Sequence, residues 1–223
     1  MLSFIGGTGP EGLGLAFRFL LAGEDVIIGS RSAERATAAA DKLKEMLAST
    51  SSGGAASSGT AQGMENEQAV KAGDAILITV PFGGQADILA LLRDAIGDKL
   101  VVDTVVPVKF AKGKISAIPV EEGSAAEQAQ RVLPEATVIS AFQNLSAETL
   151  MDPHEAVDCS VIVCGNDLEA KKKVMGLAEK IEGIRAIDGG GLANSRYVED
   201  LTTLLLNINR IYKAHSSIQI TGL

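Results

Sequence analysis

The stretch Gly7-Thr8-Gly9-Pro10-Glu11-Gly12, directly after the apolar run 2–5, constrains this 223-residue chain more than any other. Glycines at G-x-G-x-x-G spacing let a strand turn sharply into a helix around a pyrophosphate. Gly7 would permit the tight turn, Gly9 a close approach of backbone to phosphate, and Gly12 close packing of helix on sheet. Thr8 adds a hydroxyl, and a helix N-terminus adds partial positive charge toward an anion. The pattern carries weight only inside a strand–turn–helix–strand unit, and the following residues supply one.

The first strand covers about residues 2–6 and the first helix about 11–22, with Leu13, Ala16, Phe17 and Leu20 at helical spacing and Gly23 as its stop. A second apolar strand covers 25–29, and Ser32 can cap a helix running to about 47. Residues 48–59, almost all Ser, Thr, Gly and Ala, read as a surface loop. A weak strand (60–64), a short helix (65–72), a clear strand (75–80), a helix (85–96) and a strand (99–103) follow. Residues 104–123 read as a long irregular connection carrying Lys109, Lys112 and Lys114. Next come a helix (124–132), strands at 137–141 and 160–163, a helix (167–181), a strand (183–187) and a final helix (194–214).

This alternation predicts an α/β fold, a Rossmann-type doubly wound parallel sheet with a small C-terminal αβ/helical extension. The expected division is a Rossmann dinucleotide-binding domain over 1–150 and a small C-terminal domain over 151–223. In the last helix, Val198, Leu201, Leu204, Leu205, Ile208 and Ile211 form an expected buried stripe, widened by Leu206 and Tyr212. So broad a stripe needs more than one neighbour, so the helix either threads under the main domain or packs against a second subunit; a homodimer is the expectation.

Composition narrows the function classes. A net charge of −8 argues against nucleic acid as a partner, since neutralising phosphates takes basic surface. No run of about 18 apolar residues is present to span a membrane, and the chain reads as cytoplasmic. Cys159 and Cys164, five apart on a strand, fall on opposite faces and read as buried thiols rather than metal ligands. No metal cluster, nucleophile elbow or Ser/His/Asp set stands out, and His154 and His215 read as ordinary surface histidines.

The end of the second strand indicates which dinucleotide. An NAD site wants an Asp or Glu there for the ribose 2′-hydroxyl. Here Ser30, Arg31 and Arg35 offer a hydroxyl and two cations to a 2′-phosphate, which favours NADP. The later strands end in Val80-Pro81-Phe82, Val106-Pro107-Val108 and the run 142–147, which on one sheet edge would line an apolar nicotinamide pocket. No acid–base pair accompanies them, so no catalytic side chain is assigned. Direct hydride exchange between two bound cofactors needs mainly alignment and exclusion of water.

The residues Ile5-Gly6-Gly7-Thr8-Gly9, Gly29-Ser30-Arg31, Thr79-Val80-Pro81, Val105-Val106-Pro107-Val108, Val163-Cys164-Gly165 and Asn194-Ser195-Arg196 resemble those of the NADPH-dependent coenzyme F420 reductases, over nearly the whole chain. The resemblance implies a homodimer passing hydride between NADP(H) and the deazaflavin of coenzyme F420. It implies that Thr8 to Glu11 hold the pyrophosphate, and that Ser30, Arg31 and Arg35 hold the 2′-phosphate. Phe82, Val108 and Ala147 would line the nicotinamide, Gln143 and Leu145 would meet the deazaflavin, and Ile218 would close the site. Some members of the family carry His where Gln143 stands, and Pro10-Glu11 departs from the small or polar pair expected in the turn. Lys109, Lys112 and Lys114 are candidates to attract the anionic deazaflavin tail. The alternatives are an NADP-dependent reductase of a small hydroxy acid or imine, and a non-catalytic NADPH-binding sensor or metalloreductase-like domain.

Overall fold

The computed structural model describes residues 1–50 and 59–223, so the central part of the loop expected over 48–59 lies outside the described residues. The strands are β1 (Leu2–Ile5), β2 (Val26–Ser30), β3 (Ala61–Glu65), β4 (Ala75–Ile78), β5 (Leu100–Asp103), β6 (Val108–Ala111), β7 (Lys114–Ala117), β8 (Thr137–Ser140), β9 (Cys159–Gly165) and β10 (Ile184–Asp188). The helices are α1 (Pro10–Leu21), α2 (Ala33–Thr50), α3 (Asn66–Ala72), α4 (Phe82–Ile96), α5 (Ala125–Val132), α6 (Ala147–Met151), α7 (Leu168–Ala178) and α8 (Ser195–Tyr212).

One eight-stranded sheet runs in the order β10-β9-β8-β5-β4-β1-β2-β3, all its pairs parallel except β8 with β9. The chain winds from β1 outward to β3, then crosses back to set β4 on the other side of β1. The carboxyl ends of β1 and β4 therefore form the switch point at which a doubly wound sheet opens a ligand crevice. The first two strands are buried along their whole length, which is why they read as continuous apolar runs rather than as alternating ones.

Two apolar layers cover the sheet. On one face α1, α2 and α7 pack over Phe4, Leu77 and Val161, and Phe19 meets Phe142 edge-on with ring centroids 5.9 Å apart. On the other, α3, α4 and α5 pack over Ile5, Ile76 and Val101. Each buried large side chain contributes about 1.5–3 kcal/mol, so these layers supply most of the drive to fold. Arg18, only 8% exposed, ties α1 to the segment around α6. Its guanidinium donates to the carbonyls of Thr149, Leu150, Asp152 and Glu155 at 2.6–2.9 Å.

The structure departs from the sequence expectations in three places. Residues 104–123 are not wholly irregular: β6 and β7 form a two-stranded antiparallel hairpin that turns at Gly113 in the left-handed region (φ +74°). A short helix, α6, follows β8, and both ends of the last helix draw in to 195–212. The expected stripe on α8 is only half covered. Val198, Thr202 and Leu205 face the chain, whereas Leu204, Ile211 and Tyr212 are exposed, because the buried face of α8 also takes in the polar Ser195, Glu199 and Thr203.

Candidate functional site

A cleft of about 1310 Å³ opens at the switch point and runs from the glycine turn to the β6–β7 hairpin and the C-terminal tail. A single small-molecule pocket usually occupies about 300–1,000 Å³, so this volume suits two extended ligands end to end. Of the residues singled out by sequence, Thr8, Gly9, Pro10, Glu11, Ser30, Arg31, Arg35, Val80, Pro81, Phe82, Val108, Gln143, Leu145 and Ala147 share its wall.

The others stand elsewhere. Gly7 and Gly12 lie under the turn: a Cβ on Gly7 would meet Phe4 at 2.8 Å, and one on Gly12 would meet Thr79 Oγ1 at 2.6 Å. The left-handed bend belongs to Gly6 (φ +76°), not to Gly7 as the glycine spacing suggested. Pro107 closes the base of the hairpin, its carbonyl accepting from the Ile118 N–H at 2.7 Å. Ile218 is not on the cleft wall. Its carbonyl accepts from the Ser160 N–H at 2.8 Å, so the tail lies along the part of β9 that β8 leaves unpaired.

The turn itself is shaped for an anion. Gly9 is the N-cap of α1, with no side chain capping that end, and a Cβ there would meet only the Gly6 carbonyl at 3.8 Å. The free space beside Gly9 and the uncapped N–H groups of the first turn suit a phosphate. At the end of β2, Ser30 is buried while Arg31 and Arg35 are exposed on the cleft, and neither guanidinium has a carboxylate partner among the described residues. Two unpaired cations beside a hydroxyl suit a phosphate monoester such as the 2′-phosphate of NADP.

The floor comes from the carboxyl ends of β4, β5 and β8. Val80, Pro81, Phe82, Val105, Val106 and Leu145 make it largely apolar. Phe142 holds a left-handed backbone (φ 73°), uncommon for an aromatic residue, and its ring is locked against Phe19. This bend presents Gln143 and Asn144 to the cleft. Gln143 Nε2 donates to the Asp103 carbonyl at 2.9 Å and Ser140 Oγ at 2.8 Å, while Asn144 Nδ2 donates to the Ser160 carbonyl at 2.9 Å. The side-chain oxygens of both amides are buried without a partner among the described residues, which leaves two acceptors for a ligand's N–H groups.

The outer wall holds residues that sequence reading missed. Phe110, 67% exposed, projects from the hairpin into the cleft mouth on the same face as Val108. Lys109 shares the opposite face, pairing across with Ser116, so strand alternation turns it away from the apolar wall. His215 is exposed, as expected, and it also lines the cleft, with Nε2 at 3.0 Å from Glu148 Oε2. Asn66, 8% exposed at the start of α3, puts an unpartnered Oδ1 beside Ser30 and Arg31. Its only sequence signal was a polar residue opening a helix after a strand.

Buried carboxyls surround the floor. Burial and the neighbouring Glu199 push Asp103 well above the usual carboxylate range, and Gln85 Nε2 and the Val105 N–H bond its oxygens. Burial likewise pushes Glu199 up to about 7, against the hydrogen bonds it accepts from the first turn of α5. Burial pushes the Glu11 carboxyl up to about 8. The thiols of Cys159 and Cys164 are buried, free and pushed up to about 11. Among the described residues, no group of three or more His, Cys, Asp and Glu is set to hold a metal ion.

Residues 1–107 match the family model described as NADP oxidoreductase, coenzyme F420-dependent. The chain is 42% identical over its full length, and 95% of the relative's, to an F420-dependent NADP reductase of Methanothermobacter thermautotrophicus. It is 40% identical to an enzyme of the same name from Methanocaldococcus jannaschii, covering 98% of it. A solved structure from Arthrobacter sp. FB24, described for F420-dependent NADP reduction, matches over 99% of both chains with a TM-score of 0.80 at 24% identity, a likeness of fold.

Proposed function

Because the chain belongs to the family of coenzyme F420-dependent NADP oxidoreductases, we propose that it catalyses reversible, direct hydride transfer between NADP(H) and the deazaflavin of coenzyme F420. The observation that carries this reading is one continuous cleft with a phosphate-shaped turn at one end, an aromatic mouth at the other and a floor largely of apolar groups and amides between. When bound, the two cofactors supply the chemistry: a hydride leaves the dihydronicotinamide ring and joins the deazaflavin ring. The transfer itself moves no proton; net reduction of the deazaflavin by NADPH takes up one proton, which solvent supplies.

The protein's own task is to hold two rings face to face at about 3–3.5 Å and to keep water out. Gly7, Thr8, Gly9, Pro10, Glu11 and Gly12 would form the pyrophosphate turn, and Ser30, Arg31 and Arg35 the 2′-phosphate site. Val80, Pro81, Phe82, Pro107, Val108 and Ala147 would shape the nicotinamide region. Gln143 and Leu145 would meet the deazaflavin, Gln143 through the acceptor oxygen left unpartnered on the floor. An imine or hydroxy-acid reductase would want a proton donor beside the nicotinamide, whereas the ends of β4, β5 and β8 contribute threonines, amides, a serine and apolar groups there, with His215 and Glu148 out on the cleft's outer wall.

Residues 1–150 are proposed as the NADP-binding domain, and 151–223 as the part completing the deazaflavin site and a dimer interface. The exposed Leu204, Ile211 and Tyr212 on the outer face of α8 support a homodimer, since a lone chain leaves that face in water. Ile218 is proposed to act in that assembled state. The cytoplasm is the proposed compartment, supported by two buried thiols that stay unbridged. Among the described residues no helix is long and apolar enough to cross a membrane.

Mixing the purified protein with NADPH and oxidised coenzyme F420 tests the reading. Bleaching of the deazaflavin's visible absorption in step with NADPH loss is the expected result. No bleaching, with both cofactors shown to bind, would sink it.

A further inference from the structure

Helix α1 begins Pro10-Glu11-Gly12, and this opening is short of donors. Pro10 at the first helical position has no N–H to offer an anion. The Gly7 and Gly9 N–H groups are already spent on the carbonyls of Phe4 and Gly6. No side chain caps the helix. Pro10 is thus the one first-turn position without an N–H, the Glu11 and Gly12 N–H groups being uncapped, and the Glu11 side chain stands next to that gap, where as a carboxylate it would add repulsion.

Its surroundings favour the acid form. Oε1 is out of contact with solvent and has no hydrogen-bond partner among the described residues. Glu11 lines the cleft as a half-buried residue, and burial of its carboxyl alone accounts for the shift to about 8. The charged groups around the cleft are Arg31 after β2, Arg35 on α2, Asp87 on α4, Glu148 on α6, and Lys213 and His215 on the tail. None contributes to that shift, and Arg18, the other charge on α1, is turned to the carbonyls around α6.

We propose that Glu11 enters the NADP(H) complex as a neutral carboxylic acid, donating a hydrogen bond to the pyrophosphate in place of the N–H that Pro10 lacks, so that above neutral pH binding takes up one proton per site. The proposal rests on the reading of this turn as the pyrophosphate site. The proton comes from solvent: carboxylate plus proton gives the acid, which holds its proton in the complex because the phosphate oxygens accept from it. A second negative charge next to the phosphates raises the carboxyl's proton affinity further. The free protein is mostly in the acid form at pH 7, so the coupling shows only on the alkaline side.

Isothermal titration of NADP+ into the full chain at pH 8.5, in two buffers of different ionisation heat, reads the proton directly. Net proton uptake, larger than in the same comparison at pH 7, is expected. Between pH 7 and 9.5 the wild-type Kd should weaken about thirty-fold beyond any change in Glu11→Gln, whose amide donates at every pH, so at pH 9.5 the variant binds more tightly than wild type. Should Glu11→Gln fail to fold, the wild-type buffer comparison decides, with Glu11→Ala as the second pH-insensitive reference. No proton uptake at pH 8.5, or parallel profiles for wild type and variant, would overturn the proposal while leaving the NADP site intact. Failure of wild type to bind NADP+ even at pH 7 would instead overturn the reading of the turn.

Discussion

Glu199, in the second turn of α8, accepts a hydrogen bond from the backbone N–H of Ala125, 2.9 Å away at the first turn of α5. The same carboxylate accepts from Ala126 at 3.3 Å, so one buried acid caps α5 and fixes α8 to the sheet beside the cleft. The arrangement favours the anion through the helix end and opposes it through burial, and burial prevails.

A pH dependence of stability follows from the sign of these shifts. Glu199 and Asp103 both hold their protons to higher pH in the folded chain than in the unfolded one. The folded state therefore binds more protons from about pH 4.5 upward, and the stabilisation is lost as pH rises through about 7. For Glu199 alone the loss is on the order of 3 kcal/mol. Thermal melts should give a higher Tm at pH 5 than at pH 8, with a shallower slope in Glu199→Gln. An equal slope in wild type and variant would remove Glu199 from this account.

The glycines of the turn should separate by substitution. Gly12→Ala sets a Cβ 2.6 Å from Thr79 Oγ1 and 2.7 Å from Gly7 Cα, so it should cost about 1–3 kcal/mol of stability. Gly9→Ala meets nothing closer than 3.8 Å and should melt like wild type, while losing at least about tenfold in NADPH affinity through blocked access to phosphate. Urea melts and NADPH titrations on the pair check both halves.

Arg31→Glu should cost NADPH at least about tenfold in affinity and leave NADH within about twofold, because only NADPH carries the 2′-phosphate. Fluorescence titration with each nucleotide measures the ratio. Equal losses for both would place the 2′-phosphate elsewhere.

Arg18→Ala should destabilise by about 3 kcal/mol or more, since it leaves the carbonyls of Thr149, Leu150, Asp152 and Glu155 without their shared donor. Arg18→Lys should recover only part of this, because an ammonium cannot reproduce the guanidinium fork. Chemical denaturation of the two variants distinguishes the cases.

How far the sequence was legible follows from which signals are local. Strands such as β1, β2 and β4, buried on both faces, leave continuous apolar runs, and glycine spacing marks the turn between them. The hairpin of β6 and β7 escaped notice because each strand is four residues long and reads partly as a lysine cluster. The antiparallel pairing of β8 with β9 depends on how residues 141–158 cross the end of the sheet, which no periodicity encodes. The place of His215 on the cleft was invisible because its neighbour Glu148 is distant in sequence and meets it only after the tail folds back over α6. The left-handed Phe142 was equally hidden: nothing in its side chain announces such a backbone, which sits with its ring packed edge-on to Phe19 and its carbonyl accepting from the Leu145 N–H at 3.2 Å.

The central claim is that hydride passes straight from one bound cofactor to the other. Single-turnover reaction of the protein with oxidised coenzyme F420 and NADPH deuterated at the transferable C4 position, followed by mass analysis of the reduced deazaflavin, tests it most directly. The account predicts one deuterium per reduced deazaflavin, with none replaced by hydrogen from water. Recovery of solvent hydrogen at that position, or full binding of both cofactors with no deazaflavin reduced, would contradict it.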